Sequence, residues 1–185
     1  MRTLAFVFAV LTLAACGPPQ RTDGTGCARF VSREVTWSGA APDIITARAD
    51  GPNCLQTFVT LSIRSAAGEA LWIHAGTYYD MVAGGMPPSA APNVSPEQMD
   101  AFLSGWAEPT LGRTSTLPQW RNGAATLTES ADIFAYDTPF DRETYEALRA
   151  RNLPTLCYAA AVEATHCLIV DPLSGAPAMI VAYGP

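Results

Sequence analysis

The sequence predicts a single α+β domain: an antiparallel β-sheet with one or two packed helices and two disulfides. Three observations carry that expectation. Leu55 to Arg64 alternates along its length, with Leu55, Thr57, Val59, Leu61 and Ile63 on one face, as a strand covering a core does. Ser95-Pro96-Glu97-Gln98 spells a helix start, and Met99, Phe102, Leu103 and Trp106 follow at i, i+3, i+4 and i+7. Cys27, Cys54, Cys157 and Cys167 form an even set, which in an exported chain reads as two bridges.

The export signal comes first along the chain. Met1-Arg2-Thr3 is a short positive start, and Leu4 to Ala15 is a run of twelve residues in which only Thr12 is polar. Small residues lead to Cys16, and Gly17-Pro18-Pro19 follows. Charge, core length and cleavage site are those of a secretory signal peptide. A membrane-spanning helix needs about 20 apolar residues.

Leu13-Ala14-Ala15-Cys16 resembles the lipobox of bacterial lipoproteins. The resemblance covers residues 1 to 17. It implies cleavage after Ala15, a thioether-linked diacylglycerol on Cys16 and an amide-linked third acyl chain. With Gly17 rather than Asp after the cysteine, it also implies an outer-membrane address facing the periplasm. Each buried methylene adds ~0.8 kcal/mol of membrane affinity, so two or three long chains make a lasting anchor. Residues 1–15 are therefore expected to be the cleaved signal and 16–26 the acylated cysteine with its tether. Residues 27–185 are the expected periplasm-facing domain. The tether has no large apolar side chain to bury and spans at most ~35 Å.

Composition narrows the partners. The 170 residues after the signal suffice for a buried core. Ten arginines against seventeen acids give them a net charge of −7, which argues against nucleic acid and against electrostatic adhesion to anionic lipid. Membrane contact then rests on the acyl chains, and an envelope protein or polymer is the remaining partner class. No lysine occurs, so Schiff-base, Ser-Lys and phosphate-loop chemistry are excluded.

The elements follow in order. Arg29 to Thr36 and Ile44 to Ala49 read as strands separated by Gly39 and Pro42. Ala66-Ala67-Gly68-Glu69 turns the Leu55 to Arg64 strand into Ala70 to Ala75 as a hairpin. Met81 to Ser95, broken by glycines and prolines, reads as a long loop, either functional or mobile. The capped helix after Ser95 ends before Pro109. Asn122-Gly123 signals a two-residue hairpin between 119–121 and 124–127, and Ile133 to Tyr136 is a short strand. A second helix starts near Pro139 or Asp141 and runs to about Arg151. Its acids lie at the start and its arginines at the end, which suits the helix dipole. Thr155 to Val162, Thr165 to Asp171 and Ala178 to Tyr183 read as strands, with a turn at Asp171-Pro172-Leu173-Ser174-Gly175. A helix over Pro154 to Ala164 is the alternative for the first of these. Three disulfide pairings are open, and chain order favours Cys27–Cys54 and Cys157–Cys167.

Chemistry-bearing residues are few. His74 and His166 are the only histidines, so any histidine mechanism uses one of them. Their plainer role is a strand histidine satisfied by a neighbouring carbonyl or by water. No Gly-x-Ser-x-Gly elbow raises a nucleophile beside them. Asp132 with Asp137, and Glu143 with Glu146, are the acid pairs that glycan hydrolysis would need. The helical pair reads more simply as a solvated face. The cysteines lack zinc spacing and no histidines pair at short range, so no metal and no cofactor is expected. Trp106, Trp120, Tyr78 and Tyr79 are core aromatics, or else the lining of a sugar or peptide groove. No residue is assigned a catalytic role. The expected function is a non-enzymatic binding or accessory lipoprotein, and the rival is a periplasmic hydrolase using His74 or His166.

Overall fold

The alternating run around Val59, Leu61 and Ile63 is the third strand of a four-stranded meander in the computed structural model, which describes residues 26–84, 86–90, 93–130 and 134–184. The expected signal peptide, Cys16 and nearly all of the expected tether lie outside these residues, as do Asp132 and Ile133. The meander consists of β1 (Cys27–Val35), β2 (Asp43–Gly51), β3 (Phe58–Arg64) and β4 (Ala70–Thr77), paired antiparallel in that order. Its inner face carries Ile45, Ala47, Ala49, Val59, Leu61 and Ile63, all fully buried. Asp43 closes the β1–β2 turn, where its carboxylate accepts hydrogen bonds from the Trp37 and Ser38 amides and the Ser38 hydroxyl.

β3 begins three residues later than Leu55 because 52–57 turn away to bring Cys54 to Cys27. Gly51 makes that turn possible: a Cβ there would lie 2.3 Å from the Gln56 carbonyl oxygen. The β3–β4 hairpin forms as expected, with Gly68 at φ +85° and its amide bonded to the Ser65 carbonyl.

Part of the expected Met81 to Ser95 loop is helical. The short helix α1 (Tyr78–Val82) is capped by the Thr77 hydroxyl, which accepts from the Asp80 amide. Then α2 (Pro96–Trp106) starts with the full reciprocal capping box of Ser95 and Gln98. Its stripe buries Met99, Leu103 and Trp106 against β1 and β2. The small Ala47 and Ala49 on β2 leave room for it. Arg29 on β1 and Asp100 on α2 pair through both carboxylate oxygens, and Arg33 reaches Ser104.

The second sheet has the order β5-β7-β8-β9-β6. Its strands are β5 (Thr110–Arg113), β6 (Ala135–Asp137), β7 (Pro154–Ala161), β8 (Ala164–Val170) and β9 (Pro177–Gly184), all antiparallel. The fold is thus the expected single-domain α+β class, with the strands divided between two sheets and three α-helices packed with them among the described residues. β5 has no clear alternation in sequence, and its four residues are exposed. The helical alternative for Pro154 to Ala164 is overturned: this segment is β7, and the hairpin turns at Val162-Glu163 with Cys157 opposite Cys167.

The Asn122–Gly123 hairpin is also overturned. A turn is there, with Gly123 at φ +86°, but no strands flank it. The backbone is held by side chains instead. Glu146 accepts from the Trp120 amide at 2.6 Å and Glu129 from the Ala125 amide at 2.7 Å. The helix α3 (Arg142–Ala150) starts on Asp141, which accepts from the Thr144 amide, and stops at Asn152 with φ 53°.

Two layers of core result. Leu156, Tyr158 and Leu168 of the second sheet join the meander and α2 in one cluster. Cys167, Ile169, Ile180 and Val181, on the opposite face, pack with Tyr145 of α3 and Leu127. The second sheet is therefore covered on both sides, whereas the meander keeps one face open. Among the described residues no helix is long and apolar enough to cross a membrane.

Candidate functional site

Hairpin geometry dictates where His166 points. Successive strand residues face opposite sides, so Tyr158 and His166 lie on the face opposite the Cys157–Cys167 bridge. They are direct cross-strand partners on β7 and β8. His74 sits on the edge strand β4 opposite buried Leu61, hence on the inner face of the meander. The two sheets meet along this line, and the only two histidines of the chain come together there. Their ring centroids are 6.1 Å apart at an interplanar angle of 82°.

Aromatic rings wall the pair. Tyr158 lies 5.3 Å from His74 and 5.9 Å from His166, centroid to centroid. Trp106 meets His74 edge-on at 6.1 Å, and Phe102 and Tyr78 continue the stack. Among the described residues, hydrogen bonds cross the seam at three places. Trp72 Nε1 donates to the Tyr158 hydroxyl at 2.9 Å, and Trp106 Nε1 donates to the Ala159 carbonyl at 2.7 Å. His74 Nε2 lies 3.0 Å from the Ala160 carbonyl oxygen. A carbonyl only accepts, so Nε2 carries the proton, and neutral His74 keeps its lone pair on Nδ1.

Burial disfavours charge at both rings. It lowers the His74 pKa, partly offset by the bond to Ala160. It lowers that of His166 as well, and His74 adds repulsion. Burial pushes the Tyr158 phenol up against a smaller opposing effect of Trp72. The unfolded chain therefore takes up protons at the histidines first as the pH falls. Stability from this pair is fully present above about pH 6.5 and is lost as pH falls through the lower folded values. Melting temperatures taken in chelator from pH 7.5 to 5 should fall. In a His74→Gln/His166→Gln double variant that fall should shrink, and equal slopes in the two proteins would refute the assignment. The carboxylates with lowered pKa, such as Asp100 and Asp171, titrate below this window.

The other candidates are dispersed. Asp137 lies on the edge strand β6, while Glu143 and Glu146 are on α3, beyond the second sheet. Glu146 is engaged with the Trp120 amide and, at 3.5 Å, with Arg149. Tyr78 and Trp106 belong to the seam core and Trp120 packs on Tyr145, whereas Tyr79 lines a shallow depression with Phe58 and Asp80. A groove of about 540 Å³ between α3 and the β8–β9 hairpin is lined by Leu148, Ile169 and Ala178, with the Arg151–Asp171 ion pair at 3.3 Å. No three His, Cys, Asp or Glu residues cluster as a metal site among the described residues.

Tyr158 and Trp72 were not among the sequence candidates. Tyr158 had a signal: a hairpin that pairs Cys157 with Cys167 also pairs Tyr158 with His166. Trp72 had none, because its partner lies 86 residues away. No family model, curated protein or solved structure matches this chain.

Proposed function

We propose that this chain is a cell-envelope lipoprotein, anchored by acyl chains on Cys16, whose domain is a non-enzymatic binding or accessory module. One observation supports the binding role above others. The open face of the meander presents Phe30, Phe58 and Ile73 at 67%, 68% and 61% exposure. They stand among Ser32, Thr46, Thr60 and Ser62, with Arg48 and Arg64 beside them. Large apolar side chains sharing one exposed sheet face mark a contact surface, and the hydroxyls around them offer hydrogen bonds to a protein or an envelope polymer.

Two measurements test the two halves of this reading. Mass spectrometry of the mature N-terminus should find diacylglyceryl on Cys16, and Cys16→Ser should move the protein from the membrane to the soluble fraction. An unacylated Cys16 sinks the anchor. A photoreactive residue at position 58 should give a discrete adduct in intact cells that Phe30→Asp abolishes. An adduct from the α3 groove with none from position 58 sinks the choice of face.

The rival reading, a periplasmic hydrolase, draws on the convergence of His74 and His166. His74 Nε2 is occupied by a backbone carbonyl, and Asp137, Glu143 and Glu146 lie on other elements, which favours the binding reading. A cellular function that survives His74→Ala/His166→Ala in a folded domain removes the rival.

A further inference from the structure

We propose that His74 and His166 together bind one borderline divalent transition-metal ion, with solvent completing its coordination. The sequence points to no such site, since the two residues are ninety-two positions apart. The fold brings them from two different sheets to one seam.

Three features of the seam carry the inference. The first is distance. A metal ~2.0–2.1 Å from an imidazole nitrogen lies about 3.2 Å from the ring centroid, so two rings on one ion have centroids about 6.4 Å apart when trans and about 5.2 Å apart at a tetrahedral angle. The observed 6.1 Å, with rings nearly perpendicular, fits a near-trans pair of imidazoles and not a tetrahedral one. The second is the hydrogen bond of His74. Ligating histidines characteristically donate their other N–H to a carbonyl or carboxylate, which fixes the tautomer and orients the ring. His74 Nε2–H on the Ala160 carbonyl is that arrangement, and it leaves Nδ1 as the ligating atom. The third is the enclosure. Tyr158 and Trp106 pack against His74, and Tyr158 also packs against His166, so both rings are held in place rather than swinging in solvent. Two near-trans imidazoles without thiolate or clustered carboxylate favour the tetragonal ions copper and nickel over calcium, magnesium or tetrahedral zinc, and Cu(II) binds such sites most tightly.

The ion would join β4 of the meander to β8 of the second sheet. Binding to the folded form alone then raises the melting temperature with metal concentration.

The test uses the mature chain in detergent, stripped with chelator and titrated with Cu(II) alone. The expected result is one ion per chain, with two imidazole nitrogens coupled in the electron paramagnetic resonance spectrum. His74→Gln and His166→Gln should each weaken binding at least tenfold and abolish the metal-dependent rise in melting temperature. Should either glutamine variant fail to fold, the parent still decides the matter by NMR. Cu(II) should broaden the ring signals of both His74 and His166 before any others. Binding through one imidazole only, unchanged affinity in either folded variant, or broadening centred elsewhere overturns the proposal.

Discussion

Trp106→Ala should lower the unfolding free energy by about 3–5 kcal/mol, the range for deleting a large buried aromatic. Trp106 is buried at the end of α2, packs on Phe102 and His74, and donates Nε1–H to Ala159. It thus joins the helix on the meander to the second sheet in one side chain. At about 2–4 °C per kcal/mol for a domain of this size, the melting temperature should drop by about 10 °C. Trp106→Phe separates the two contributions. It restores most of the apolar volume but leaves the Ala159 carbonyl without the indole N–H, so about 1–3 kcal/mol should still be lost. Urea unfolding with both disulfides intact measures both values. A loss under about 1 kcal/mol for Trp106→Ala would mean that the sheets meet without it.

Removing the Cys27–Cys54 bridge should cost about 3.5 kcal/mol, slightly more than the roughly 3 kcal/mol expected for Cys157–Cys167. The difference comes from the loops: the first bridge spans 27 residues and the second spans 10, and a longer loop frees more chain entropy when cut. Context pushes the same way. Cys27 begins the edge strand β1, and Cys54 lies in the turn after β2, so that bridge holds a sheet end that has one neighbouring strand. Cys157 and Cys167 already face each other in a hairpin ladder whose other rungs do not depend on the bridge for their register. Calorimetry of the two double-alanine variants compares them directly. A larger loss from Cys157→Ala/Cys167→Ala would show that chain entropy is not the main contribution.

Legibility tracked the range of the physics. Of the two expected starts for the second helix, Pro139 or Asp141, the structure uses Asp141 as the cap. The Ser95–Gln98 capping box is an interaction over three residues and stands in the structure as the sequence spells it. The same is true of the Gly68 and Gly175 turns, where a positive φ favours glycine. Chain order favoured the Cys157–Cys167 pairing, and the register of the β7–β8 hairpin puts the two residues opposite each other. Failures occurred where a local signal met a distant partner. Asn122-Gly123 makes its turn, closed by the Ala124 amide on the Arg121 carbonyl, yet beyond that bond the backbone goes to Glu146 and Glu129 instead of forming a strand ladder. β5 exists because β7 offers it an edge, and nothing within its four residues announces that.

The candidate site divides along the same line. Sequence by itself determined which residues are available: two histidines, no lysine, four cysteines to pair, and the strand faces on which each side chain lies. It also determined the class of the fold, because periodicity of two or 3.6 decides which side of an element is apolar. Only the tertiary structure decided that His74 and His166 meet, and that the face bearing Phe30, Phe58 and Ile73 stays open. Periodicity says that a face must be covered but not by what. The choice of partner is set by packing between sheets whose strands are far apart along the chain.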